Sequence, residues 1–149
     1  HQKVLGELHL VLGNFIKGNI CQVYVAPFDV RFPTKSKEDS KIHDVVQPDI
    51  CVICDPEKLD DRGCVGAPDL IVEILSPGNS KTELKHKFEL YESNGVKEYW
   101  VIHPTEQTLL VYTLVNGKYQ PSGLFVAGDV VESTCIEGFK LNLEEIFEG

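Results

Sequence analysis

Two apolar runs, each introduced by a Pro-Asp pair, constrain this chain more than any other feature. Pro48-Asp49 leads Ile50-Cys51-Val52-Ile53, and Pro68-Asp69 leads Leu70-Ile71-Val72, which delivers Glu73 ahead of Ile74 and Leu75. Short, continuous runs rich in β-branched residues and bounded by prolines read as strands covered on both faces. Both strands therefore belong in the middle of a sheet, and each brings a carboxylate with it. Desolvating an unpaired carboxylate is costly, so such a group is hydrogen-bonded, ion-paired, neutralised or bound to a cation.

The rest of the chain supplies what would surround these strands. From His1 to Phe15, Val4, Leu8, Val11, Leu12 and Phe15 recur at helical spacing, with Gly18 just beyond, which predicts an opening helix with one buried stripe. Residues 20–32 alternate and are broken by Pro27, predicting two short antiparallel strands or one bent strand. The polar run from Pro33 to Asp44 predicts a surface loop, Gln47 to Cys54 a central strand, and Asp55 to Gly66 a turn-rich connector. After the second central strand, Asp69 to Leu75, the sequence Ser80-Lys81-Thr82-Glu83 is a capping box that starts a helix near Lys81, and Gly95 stops it. Glu98 to His103 is another strand, and Thr108 to Val115 with Lys118 to Gln120 is a hairpin across Asn116-Gly117. Short strands then lead to a helical turn around Leu143 to Phe147. This order is α+β, or mixed α/β, with one central mixed sheet.

The chain has 149 residues, 42% of them hydrophobic, which fits one domain spanning residues 1–149. It contains no methionine, so a short N-terminal segment is expected before His1. Five cysteines, an odd number with no secretory apolar region before them, predict reduced thiols in a cytoplasmic protein. No apolar segment approaches the ~18 residues of a membrane span. The net charge of −9, from 23 acids against 14 bases, weighs against a nucleic-acid partner, because lysine and arginine drive phosphate binding. Local clustering of Lys81, Lys85, His86 and Lys87 and the charge of any metal held by carboxylates soften that objection without removing it.

Side chains two apart on a strand share a face, so Glu73 sits with Asp69, Ile71 and Leu75, and Asp49 with Cys51 and Ile53. If the strands are adjacent, Asp49 and Glu73 meet at one sheet end, close enough to share a divalent cation through oxygen ligands. On the following helix Leu84, Phe88 and Tyr91 form the buried stripe, and Lys87 falls about 60 to 70° from its centre. From that margin its methylene stem can lie along the sheet and its ammonium can reach a strand end, whereas His86 faces away.

Blander readings stand beside these. Asp49 and Glu73 can be structural carboxylates, and a helix lysine is usually a solvated charge. Asp69 also follows a proline, but it lies two pleats from Glu73 on the same strand, which favours a turn or strand-start role. Cys51-x-x-Cys54 with Cys64 nearby suggests zinc; residues three apart on a strand point to opposite faces, however, so buried thiols with neither zinc nor a disulfide are expected. His103 reads as structural. Tyr99 and Trp100 can stack on bases, but Trp100 reads more simply as a core or subunit-interface residue.

An ordered series of residues runs through nearly the whole chain: His1-Gln2, Gln47-Pro48-Asp49, Gly66-Ala67-Pro68-Asp69-Leu70, Glu73-Ile74-Leu75-Ser76-Pro77, Lys87 with Tyr91, and Gly95-Val96-Lys97-Glu98-Tyr99-Trp100. It resembles the Uma-type family of restriction endonucleases within the PD-(D/E)XK nuclease superfamily. The resemblance implies a restriction-endonuclease-like fold and hydrolysis of DNA phosphodiester bonds with Mg2+ or Mn2+. It implies Asp49 and Glu73 as metal ligands, assisted by the backbone carbonyl of Ile74, and Lys87 as the residue that orients or activates the attacking water. The superfamily's lysine normally lies two residues after the acid, where this chain has Leu75; the family has moved it to the following helix, and Lys87 fits. A strand with Glu and Gly before the first helix is missing here, leaving Glu7 as a weaker candidate for a third acidic group. A homodimer is expected, since cutting both strands at once needs two sites. The alternative is a catalytically silent nuclease-fold domain that serves dimerisation or association with nucleic acid or protein.

Overall fold

Ile50, Val52, Leu70, Val72 and Ile74 pack into one apolar layer while Cys51, Ile53 and Ile71 pack into another, so the strands β4 (Ile50–Ile53) and β7 (Leu70–Ile74) divide their side chains between two faces of one sheet. The computed structural model of the chain describes residues 1–33 and 42–147. The opening helix α1 (Gln2–Ile16) covers the first face through Val4, Leu8, Leu12 and Ile16, four residues apart on one stripe. Each fully buried leucine of that stripe contributes roughly 1.5–3 kcal/mol by leaving water. Phe15, expected in the stripe, is 45% exposed and meets Phe139 edge-on.

The second face is covered by helix α2 (Lys81–Ser93), which buries Leu90 and Tyr91. This helix is the crossover between β7 and the parallel strand β8 (Glu98–His103), as a parallel pair requires. Ser80 Oγ accepts from Glu83 N at 3.1 Å, as the capping box predicts; the Glu83 carboxylate accepts from Asn79 Nδ2 at 2.9 Å. Beyond β8 follow β9 (Thr108–Val115) and β10 (Lys118–Pro121), an antiparallel hairpin. Its turn holds Asn116 and Gly117 at φ 51° and 80°, the left-handed pair that matches strand twist.

The remaining strands are β1 (Gln22–Val25), β2 (Asp29–Pro33), β3 (Ile42–Val46), β5 (Leu59–Asp60), β6 (Gly63–Val65), β11 (Phe125–Val126), β12 (Val130–Glu132) and β13 (Lys140–Asn142), closing on the short helix α3 (Glu144–Phe147). Among the described residues the central sheet runs β1-β4-β7-β8-β9-β10 with β11 also on β9, a second sheet runs β3-β2-β6-β5, and β12 pairs with β13. The architecture is the expected mixed α+β one, a mixed sheet with α1 on one face and α2 on the other. None of the described helices is long and apolar enough to cross a membrane.

Three further expectations need correction. Strands β1 and β2 do not pair with each other: β1 joins β4 in the central sheet and β2 joins β3 and β6. Pro27, which has no N–H for a ladder, stands where the chain passes from one sheet to the other. Of the loop expected from Pro33 to Asp44, residues 34–41 lie outside the described residues, and its end belongs to β3, with Asp44 opposite Phe32. Finally, Cys54 is not a reduced thiol but is joined to Cys21 by a disulfide. The β1/β4 register, Gln22 opposite Ile53, carried one step further sets Cys21 against Cys54. Cys51 and Cys64 remain free and buried, and Cys135 is free; burial pushes the Cys64 thiol up to about 11. With a disulfide present, the cysteine count no longer carries an argument about compartment.

Candidate active site

Strands β4 and β7 run antiparallel with Ile50 opposite Val72, so one step beyond the ladder Asp49 stands against Glu73, whose side chain meets α2. Asp49 replaces the next rung of the ladder. Its Oδ2 accepts from Ile74 N at 2.7 Å, and its Oδ1 lies 3.3 Å from His1 Nε2. Glu73 is 4% exposed, and its Oε2 accepts from Tyr91 OH at 2.6 Å and lies 3.3 Å from Lys87 Nζ. Lys87 and Tyr91 are one helical turn apart, so they reach the sheet from the same side of α2. Sequence reasoning thus anticipated the region that Asp49, Glu73, Ile74 and Lys87 share. It missed His1 as a neighbour of Asp49 and the hydroxyl of Tyr91 as a partner of Glu73. The second had a signal: a tyrosine on a buried stripe needs a partner for its O–H.

These groups open onto a cleft of about 230 Å³ lined by His1, Gln47, Asp49, Glu73, Asn79 and Lys87 among others. Burial pushes the Glu73 carboxyl above the ordinary carboxylate range; Lys87 and the Tyr91 hydrogen bond oppose the shift, and the charge of Asp49 adds to it. Asp49 is raised by burial as well, against the Ile74 N–H and Lys87. Two carboxylates thus face one ammonium, and the imbalance favours an added cation. No group of three or more His, Cys, Asp and Glu side chains among the described residues is placed to hold a metal. Magnesium does not require one, because it is commonly held by one or two carboxylates and completed by waters and substrate phosphates. A strand residue exchanges its N–H and C=O on the same side, so the Ile74 carbonyl faces the Asp49 side together with its N–H. The donor set fits a hard divalent cation.

Other candidates fall elsewhere. Asp69 lies at the opposite end of β7, where Oδ1 accepts from Cys54 N at 2.9 Å and Oδ2 lies 3.2 Å from Lys97 Nζ. That is the strand-start role expected of it. Cys51 and Cys54 sit in opposite layers. Glu7 is on α1, over the other face of the sheet, and does not line the cleft. His103 ends β8, Lys85 and His86 are exposed, and Tyr99 and Trp100 are fully buried. A carboxylate that the sequence left unremarked is Glu98, fully buried and accepting from Trp100 Nε1, Ser133 Oγ, Thr134 N and Oγ1, and Cys135 N.

The sheet flanked by these two helices is a nuclease-like fold. A solved structure titled "putative nuclease belonging to DUF820 from Anabaena variabilis ATCC 29413" superposes with a TM-score of 0.76 at 22% identity, covering 99% of this chain and 80% of that one. The chain itself belongs to the Uma2 family, described as "Putative restriction endonuclease", whose model matches residues 1–144. No curated protein matches it.

Proposed function

We propose that residues 1–149 form one metal-dependent endonuclease unit that hydrolyses DNA phosphodiester bonds at the cleft between β4, β7 and α2. The observation that carries this reading is the convergence of Lys87 on Glu73, 3.3 Å from Nζ to Oε2, beside an Asp49 locked to Ile74 N at 2.7 Å. Asp49 and Glu73, with the Ile74 carbonyl, would hold one Mg2+ or Mn2+. Bound there, the ion supplies charge that polarises a phosphoryl oxygen and acidifies the attacking water. Lys87, partly exposed to the cleft, orients that water and offsets the negative charge that grows on the phosphoryl oxygens. Asp49 is kept in place by its bond to the sheet backbone. A homodimer would supply the two sites needed to cut both strands together.

A second reading, a catalytically silent domain used for association, is favoured by the net charge of −9. Purified protein incubated with single-stranded, duplex and supercoiled DNA in Mg2+ or Mn2+ separates the two. The endonuclease reading expects cleavage that chelation and Glu73→Ala both abolish; no cleavage over the whole substrate and metal series moves the silent domain ahead.

A further inference from the structure

We infer that Tyr91 is a positioning residue which, with Lys87, fixes Glu73 as a one-oxygen ligand, so that the site takes a single divalent cation. This rests on the metal-dependent reading above and deepens it. The two donors on α2 converge on the same atom: Tyr91 OH at 2.6 Å and Lys87 Nζ at 3.3 Å, both to Glu73 Oε2. Among the described residues nothing donates to Oε1. Asp49 differs, with Oδ2 on the Ile74 backbone and Oδ1 3.3 Å from His1 Nε2. Glu73 therefore commits one oxygen to the protein and leaves the other for a ligand, whereas on Asp49 a ligand would share Oδ1 with His1 or displace it.

The Tyr91 ring is fully buried, edge-on to Tyr99 with centroids 5.0 Å apart and tilted against Phe32 at 6.2 Å. Packing alone would be served by phenylalanine, so the hydroxyl is the part that acts on Glu73. An ionised carboxylate can only accept, which makes the phenol the donor. Two cations spaced about 3.5–4 Å apart are clamped by ligands shared between them, and a carboxylate with one oxygen already covered by two donors is ill suited to bridge. One cation, completed by the Ile74 carbonyl, waters and phosphate oxygens, suits the arrangement.

The test titrates the full chain with Mn2+, reading affinity and stoichiometry by calorimetry and ion–ion coupling by electron paramagnetic resonance. The parent is expected to bind one Mn2+ per chain with the spectrum of an isolated ion. Tyr91→Phe is expected to fold but to bind Mn2+ about 10- to 100-fold more weakly, as loss of a ligand's supporting partner does. A merely structural tyrosine would lower the melting temperature and leave the affinity of the folded variant unchanged, and that result would overturn the inference. So would two Mn2+ per chain with a coupled spectrum, a measurement on the parent that stands even if the variant does not fold. A parent that binds no Mn2+ sinks the metal-dependent reading itself, whereas tight single-ion binding undiminished in Tyr91→Phe sinks only the role of Tyr91.

Discussion

Lys87 Nζ lies 3.3 Å from Glu73 Oε2 although the lysine belongs to a helix and the glutamate to the strand beneath it. In the proposed mechanism the ammonium that pairs with Glu73 also serves as the donor toward the substrate. Lys87→Ala should therefore lower any nuclease activity by orders of magnitude while Mn2+ binding survives. Lys85→Ala is the control: Lys85 is exposed and pairs loosely with Glu89 at 4.0 Å, so its loss should at most weaken DNA binding and make it less salt-dependent. Equal turnover by Lys87→Ala and its parent under saturating Mg2+ would remove the lysine from the mechanism.

Burial raises the folded-state pKa of Glu73 and of Asp49. A carboxyl raised in this way favours the native state at low pH, where both states are protonated, and that contribution is lost as pH rises through the folded value. Glu73→Gln removes the charge that burial penalises. Without metal it should melt a few degrees higher than the parent at neutral pH, the size of a change of about 1 kcal/mol. The difference should shrink toward about pH 4, where glutamate protonates in the unfolded chain. Thermal melts across this range check it; a variant less stable than its parent at pH 7 would contradict the argument.

The disulfide between Cys21 and Cys54 closes a separation of 33 residues. Chain-entropy arguments give such a closure up to about 4 kcal/mol. Urea unfolding with and without reductant should show a loss of that order. Thiol titration of the denatured protein should find the three free cysteines Cys51, Cys64 and Cys135 before reduction. Five reactive thiols without reductant would mean that the bond does not form.

Glu98 accepts five hydrogen bonds from Trp100 and from residues 133–135. Removing it strands several buried donors at once. Glu98→Ala should destabilise the fold by about 3 kcal/mol or more, since each unsatisfied buried group costs about 1–3 kcal/mol. Chemical denaturation measures it. A loss below about 0.5 kcal/mol, as at an ordinary surface position, would show that the 133–135 loop finds other partners.

Elements whose signals are local were the ones the sequence announced. β8 runs from Glu98 to His103, α2 from Lys81, and the hairpin turns at Asn116-Gly117, because strand runs, caps and left-handed turn residues act within a few positions. The partners of β1 and β2 were not legible, since pairing between strands depends on the whole sheet. The disulfide was hidden for the same reason: only the β1/β4 register brings Cys21 to Cys54. At the candidate site the carboxylates stood out as polar exceptions on apolar strands. The Tyr91 hydroxyl did not, because one face of its helix serves both packing and polar contact.

Because the Asp49 carboxylate occupies the Ile74 amide, the outermost rung between β4 and β7 is made by a side chain and not by backbone. When that rung opens, Asp49 is released and the binding geometry is lost with it. Deuterium exchange at the Ile74 N–H would thus time the opening of the candidate site from inside the sheet, and a divalent ion or DNA that holds Asp49 in place should slow that one proton more than its neighbours along the strand.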